Sequence, residues 1–213
     1  MYIKEKLCHV INRVAEAYRN EQSLRKSKLS IRDTIQIIIG AEGGSLAKEL
    51  HRAGYNVSAS ALSQRRAQIP VNAFRDIFMG FNEACVDGET FRGFRLLAVD
   101  GTAVSIPRNP KSDSFAEQEM YAAMTMFNFT SRIARESVIR QLEEGIHAYR
   151  VNFKMAAALC REYFRTQDGD YEKLLEEIGR HTVPLRPDRQ NKRNLKAKGF
   201  AGFTYRVSSW PGG

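Results

Sequence analysis

Apolar positions recur at helical spacing along most of the chain, and this pattern predicts a mainly α fold. The first stripe lies within residues 1–20, which predicts an amphipathic helix. Ser30 is a suitable N-cap for a second helix, which ends at the glycine cluster in residues 40–44. Pro70 begins a further helix, and its aromatic side chains share one face that we expect in the core.

Two short helices are predicted between residues 45 and 66. Ser45 caps the first helix, Gly54 supplies a turn, and the second helix begins at about Ser58. Such a pair is typical of a helix-turn-helix, whose second helix contacts DNA in the major groove. The side chains that it would present are Ser60, Ser63, Gln64, Arg65 and Arg66. The alternative is an αα-hairpin that serves only for packing.

A different pattern occupies residues 94–110, where an apolar run at 96–99 is short enough for a buried strand. The run ends at Asp100 and is followed at once by Gly101. A carboxylate held at the end of a strand is a common ligand of a hard cation such as Mg²⁺. The competing interpretation is a hairpin turn, because Asp-Gly is the strongest short hairpin signal.

The remainder of the chain also has helical spacing. Residues 111–114 are predicted as a loop, and helices are predicted from Phe115 onward and over residues 149–164. Asp170 is expected to cap a last helix that ends near residue 178. We also expect an apolar stripe in the core, made of Met120, Tyr121, Met124, Phe127 and Phe129.

Composition and charge narrow the function classes. The chain has 213 residues, and 43% of them are hydrophobic. No apolar run reaches the roughly 18 residues needed to span a bilayer. The three cysteines are too scattered for a disulfide framework or a zinc knuckle, and the start has no signal-peptide pattern, so we expect a cytoplasmic protein. The net charge of +9 favours nucleic acid over a membrane as partner.

The positive charge is densest after residue 186, where basic and aromatic residues interleave. Such a segment suits a phosphate backbone, and its alternative is a solvated charged tail. The candidate DNA-binding residues in it are Arg189, Lys192, Arg193, Lys196 and Lys198.

In their order along the chain, these stretches resemble the DDE transposases of bacterial insertion sequences, the branch typified by insertion sequence four. Residues 43–74 are similar to that family's N-terminal region, and residues 95–115 resemble its first catalytic strand, with Asp100 where the first catalytic aspartate falls. Residues 117–133 resemble the helical part beyond the catalytic core, and the tail at 186–213 resembles its C-terminal end.

The resemblance implies a ribonuclease-H-like domain in which Asp, Asp and Glu hold two divalent ions, Mg²⁺ or Mn²⁺. It also implies binding to the element's terminal inverted repeats as double-stranded DNA, with cleavage and strand transfer by in-line attack on a phosphodiester. Asp100 would be a catalytic residue and a metal ligand. A second copy or an intact transposase is a possible protein partner.

The chain departs from the family at the catalytic centre. The family's glutamate helix has the pattern Tyr-x2-Arg-x3-Glu-x6-Lys, and none of the eight tyrosines has an arginine three residues later. Between Asp113 and Glu117 there is no room for the missing strands or for the second aspartate. One carboxylate cannot hold two ions about 3.5–4 Å apart. We interpret the chain as an internally deleted transposase that retains DNA binding but lacks a complete active site.

Four regions follow from this interpretation. They are a helical DNA-binding domain at 1–90, a two-stranded vestige of the ribonuclease-H-like core at 91–115, C-terminal helices at 116–185 and the basic tail at 186–213. Two alternatives remain open. One is an active DDE enzyme completed by another chain, and the other is a poorly folded remnant, because a lone strand pair is marginal in stability.

Overall fold

A computed structural model of the chain describes residues 2–19, 28–85, 110–144, 149–166 and 168–184. Within these ranges the protein is mainly helical, as predicted, with eight helices and one two-stranded sheet. The helices are α1 (Ile3–Ala17), α2 (Ile31–Ile39), α3 (Leu46–Arg52), α4 (Ala59–Ala67), α5 (Val71–Ala84), α6 (Pro110–Glu144), α7 (Phe153–Arg165) and α8 (Tyr171–Arg180). No described helix is both long enough and apolar enough to cross a membrane.

Local capping chemistry begins several of these helices. The Ser30 hydroxyl accepts from the Asp33 amide at 3.0 Å, and the Asp33 carboxylate accepts from the Ser30 amide at 3.2 Å, which completes a capping box. Ser45 caps α3 and Asp170 caps α8, as predicted.

The main core lies between α1, α2, α5, α6, α7 and α8. Its largest fully buried side chains include Phe74, Phe81 and Phe129, and the rings of Phe81 and Phe129 lie 6.3 Å apart. Full burial of a side chain of this size contributes about 1.5–3 kcal/mol. The helices α5 and α6 run in the same direction, since Phe78 packs on Tyr121 and Asn82 bonds to Asn128.

The sheet pairs two strands that are distant in sequence. Strand β1 (Tyr149–Val151) pairs antiparallel with β2 (Thr182–Pro184), and Arg150 lies opposite Val183. The helix predicted over residues 149–164 therefore begins later, at Phe153, because Asn152 caps α7. This sheet is not the pair expected around Asp100, since residues 86–109 lie outside the described part of the chain.

Two further expectations are corrected in α6. Residues 111–114 are helical, because α6 already begins at Pro110, a residue favoured at the first position of a helix. The apolar stripe expected in the core is largely exposed, with Met120 at 44%, Met124 at 40% and Phe127 at 56% exposure. The helix instead buries a neighbouring face, made of Ala122, Met126, Phe129 and Ile133.

Candidate nucleic-acid interface

The predicted helix-turn-helix segment forms two helices joined by a tight turn. The turn residue Gly54 has a φ of +76°, a conformation that favours glycine. The Tyr55 amide donates to the Leu50 carbonyl oxygen at 3.0 Å, which closes the end of α3. The Ser58 hydroxyl accepts from the Ala61 amide at 3.1 Å, which begins α4. Each of these features is local, so short-range sequence chemistry sets the turn.

A small second core holds α3 and α4 against α2. It buries Leu29, Ile37, Leu50 and Leu62, with Leu46, Ala53, Tyr55 and Val57 packed at its edge. The alanines Ala47 on α3 and Ala61 on α4 are exposed and lie outside this cluster. Burial, with the charge and hydrogen bond of Asp33, raises the pKa of Tyr55 to about 12, so this phenol stays neutral.

The outer face of α4 carries short polar side chains. Ser60 and Gln64 are exposed one turn apart, and the Gln64 amide nitrogen lies 3.5 Å from the Ser60 hydroxyl. Ser63 is half-buried. Of the five candidate residues on α4, Ser60 and Gln64 are therefore the ones that a duplex could reach directly.

The expectation that α4 presents Arg65 and Arg66 to solvent is wrong. Arg65 is 7% exposed and donates to the Gln68 side-chain oxygen at 2.8 Å. Arg66 is 4% exposed, and its guanidinium is directed toward α6. Neither side chain lies on the outer face of α4 with Ser60 and Gln64.

Arg66 holds α4 on the first turns of α6 through three donors. Its Nε donates to the Gln118 side-chain oxygen and its Nη1 to Glu119, both at 2.8 Å. Its Nη2 donates to the Phe115 carbonyl oxygen at 2.5 Å, and its guanidinium lies 4.6 Å from the centre of the Phe115 ring. Gln118 is fully buried and donates in turn to the Ile69 carbonyl oxygen at 2.7 Å. We call these contacts the Arg66 clamp.

A buried carboxylate organises the loop before α3. Glu49 is 4% exposed, and its Oε1 accepts from the amides of Gly44 at 3.0 Å and Glu42 at 3.3 Å. Arg52 lies 3.4 Å from the same oxygen, and Arg165 of α7 lies 3.8 Å from Oε2. Two amides and two guanidiniums thus surround the one carboxylate of α3 and α4.

Arg165 also connects this loop to the main core. It donates from both terminal nitrogens to Glu42 Oε1, at 3.0 and 3.1 Å, and from Nη2 to the Gly40 carbonyl oxygen. Arg52 pairs with the other Glu42 oxygen at 2.8 Å. Partial burial alone would raise the pKa of Glu42, but the hydrogen bond and charge of Arg165, with the charges of Arg52 and Arg161, lower it. Glu42 therefore stays ionised in the folded protein below its ordinary titration range.

The exposed charged residues within residues 45–75 are all basic. Residues 45–75 contain a single acidic residue, Glu49, and it is buried. The basic residues Lys48, Arg52 and Arg75 are exposed in the same segment. Two exposed carboxylates from outside the segment lie beside it, since Glu42 pairs with Arg52 and Glu119 pairs with Arg66. Sequence reasoning missed the role of Glu49, because its partner Arg165 lies more than a hundred residues away.

The remaining candidate residues lie outside the described part of the chain. They are Asp100 and the five tail residues Arg189, Lys192, Arg193, Lys196 and Lys198. Among the described residues, no group of three or more His, Cys, Asp or Glu side chains could hold a metal ion. Comparison of the chain with protein-family models, with curated proteins and with solved structures finds no match.

Proposed function

We propose that this chain is a transposase-family protein that binds insertion-sequence DNA through α3 and α4 and is catalytically incomplete. The observation that carries the DNA-binding part is the charge of residues 45–75. Their one carboxylate is buried while Lys48, Arg52 and Arg75 are exposed. The net charge of +9 supports the same partner, because electrostatic attraction to phosphates dominates the affinity of such complexes.

In this proposal α4 reads the major groove, and Lys48 and Arg75 contact phosphates, whereas Arg52 pairs with Glu42. The side-chain amide of Gln64 can both donate and accept, which is the pattern that recognises the edge of an adenine. Ser60 lies one turn before it on the same exposed face. The Arg66 clamp contributes by setting the orientation of α4, because its guanidinium is held by α6.

The phosphate contact is tested by salt dependence. The measured quantity is the slope of the logarithm of the binding constant against the logarithm of salt concentration. We expect Lys48→Ala to reduce the magnitude of this slope by about one. The measurement is fluorescence anisotropy on a labelled mixed-sequence duplex. The matched control is Lys173→Ala, which removes the same charge from an exposed position on α8 and should leave the slope unchanged. A wild-type chain that shows no salt-sensitive binding would contradict the proposal.

Gln64 tests base reading separately. After selection of preferred sequences from a random duplex pool, Gln64→Ala should lose about 1–3 kcal/mol of preference for the selected site. Its affinity for mixed-sequence DNA should stay the same. If the selected sequences match the terminal repeats of an insertion sequence, the family assignment gains independent support.

The second part of the proposal concerns catalysis. The resemblance supplies only the first acid of the triad, Asp100, and the pattern that would carry the glutamate is missing from the sequence. We therefore expect no strand cleavage of supercoiled plasmid with Mg²⁺ or Mn²⁺. Metal-dependent nicking that disappears in Asp100→Ala would contradict this expectation and favour the alternative of an enzyme completed by another chain.

A further inference from the structure

Two carboxylates share two guanidiniums between α3 and α7, and the two carboxylates differ in burial. Glu49 is 4% exposed and lies 3.4 Å from Arg52 and 3.8 Å from Arg165. Glu42 lies on the loop between α2 and α3, and its side chain is 33% exposed. It pairs with Arg52 at 2.8 Å and with Arg165 at 3.0 Å. Each guanidinium therefore contacts one buried carboxylate and one carboxylate that solvent reaches.

Other contacts than those of Glu42 hold the two guanidiniums in position. Arg165 donates from Nη2 to the Gly40 carbonyl oxygen, where α2 ends. Arg52 donates from Nη1 to Glu49, at the 3.4 Å given above. Because these partners are buried or belong to the backbone, both guanidiniums keep their places if the Glu42 side chain moves away.

A third arginine adds positive charge at this place. Arg161 on α7 donates to the Ala41 carbonyl oxygen at 3.2 Å, and its charge acts on Glu42. Three guanidiniums therefore surround two carboxylates, and the cluster is positive even with Glu42 in place. Guanidiniums bind phosphate and carboxylate oxygens with the same planar donors, so a phosphate fits where the Glu42 carboxylate lies. Loss of an exposed ion pair costs little, so the exchange is inexpensive.

The cluster lies beside a residue that is proposed to contact DNA. Lys48 is exposed one turn before Arg52 on α3, so the two side chains are neighbours on the helix surface. A phosphate backbone held by Lys48 therefore comes close to the guanidinium of Arg52. The Glu42 carboxylate repels that backbone for as long as it stays between them.

We propose that Arg52 and Arg165 form a phosphate site, which Glu42 occupies in the free protein and a backbone phosphate of bound DNA occupies in the complex. This inference rests on the proposed DNA binding. Glu42 is then an internal competitor, which lowers the affinity for DNA and is displaced when a duplex binds. Glu49 stays in place and keeps both guanidiniums directed at the site.

Glu42→Gln in the full-length chain tests the competition. The variant keeps an oxygen that accepts from Arg165 but removes the charge, so the helical circular dichroism should be unchanged. Its affinity for a mixed-sequence duplex should rise about fivefold, which corresponds to the upper range for an exposed ion pair. The measurement is fluorescence anisotropy at one salt concentration in a buffer without phosphate.

The matched control is Glu119→Gln. Glu119 pairs with an arginine at the same distance of 2.8 Å, but that arginine, Arg66, is buried. Removal of this charge should change the affinity by less than about twofold. An equal gain in Glu42→Gln and Glu119→Gln would mean that only the net charge matters, and it would overturn the proposal.

A double variant shows whether the gain depends on Arg52. In an Arg52→Gln background, Glu42→Gln should raise the affinity by less than about twofold, because the guanidinium that it uncovers is absent. A full gain without Arg52 would overturn the proposal. Calorimetric titration of Glu42→Gln with inorganic phosphate separates the two sources of phosphate, and binding of free phosphate without a gain for DNA would also overturn it.

Failure of this inference is distinguishable from failure of the proposed DNA binding. If the wild type binds DNA with salt sensitivity and Glu42→Gln binds no better, only the phosphate site is overturned. If neither chain shows salt-sensitive binding, the proposed function is overturned with it.

Discussion

Replacement of Arg66 by alanine is expected to lower the free energy of unfolding by about 3–4 kcal/mol, although this arginine lies on the helix that was predicted to read DNA. The change removes three donors and leaves the fully buried Gln118 oxygen and the Phe115 carbonyl oxygen without the partner that they have now. It also removes the guanidinium packed on the Phe115 ring. Urea denaturation followed by circular dichroism measures the effect.

Two controls separate the buried part of the Arg66 clamp from the exposed part. Glu119 is 67% exposed, so Glu119→Ala should cost no more than about 0.5 kcal/mol. Arg66→Lys should lower the free energy of unfolding by most of the amount expected for Arg66→Ala. An ammonium group cannot direct donors to three acceptors as the planar guanidinium does. Equal stability of wild type and Arg66→Ala would contradict the structural role. A broad, non-cooperative transition of the wild type would instead favour the poorly folded remnant.

Replacement of Glu49 by alanine should lower the free energy of unfolding by about 3 kcal/mol, because removal of one member of a buried charge network takes away the opposite charge of the others. The Gly44 and Glu42 amides would lose their acceptor, and Arg165, which is 18% exposed, would lose a neighbouring negative charge. The midpoint and slope of urea denaturation measure this loss. The loop before α3 should also become susceptible to limited proteolysis.

The matched control is Glu176→Ala on α8. Glu176 pairs with Arg180 at 3.7 Å, and both side chains are more than 60% exposed, so this loss should stay within about 0.5 kcal/mol. Glu49→Gln should lie between the two variants, since it keeps an acceptor for the loop amides but removes the charge. A cost for Glu49→Ala as small as that for Glu176→Ala would mean that the buried network contributes little.

The features that sequence analysis predicted correctly depend on local chemistry. Ser30, Ser45 and Asp170 begin helices because their side chains accept from amides two or three residues later. The turn between α3 and α4 follows from the conformational freedom of Gly54. The buried face of α5 follows from spacing alone, since Phe74, Ile77 and Phe81 recur on one side of the helix.

The features that sequence analysis missed depend on contacts between residues that are distant in the sequence. Arginine is a residue type common in DNA-binding helices, but the hydrogen-bond partners of Arg66 are Gln118 and Glu119, about fifty positions away in the sequence. They hold its guanidinium against α6. Periodicity located a helix face at Met120 and Met124 but could not decide whether another element covers it. Residues 149–151 are extended because residues 182–184 pair with them. Each of these outcomes requires knowledge of which elements become neighbours.

The Arg66 clamp has a consequence for local opening of the protein. Because it fastens α4 to the segment Phe115–Glu119, opening of either part breaks the same hydrogen bonds. Hydrogen–deuterium exchange should therefore give the same opening free energy for the slow-exchanging backbone amides of α4 and for those at the start of α6. The two parts would open as one cooperative unit. A helix held in this way keeps its orientation relative to α6 for as long as these hydrogen bonds are intact.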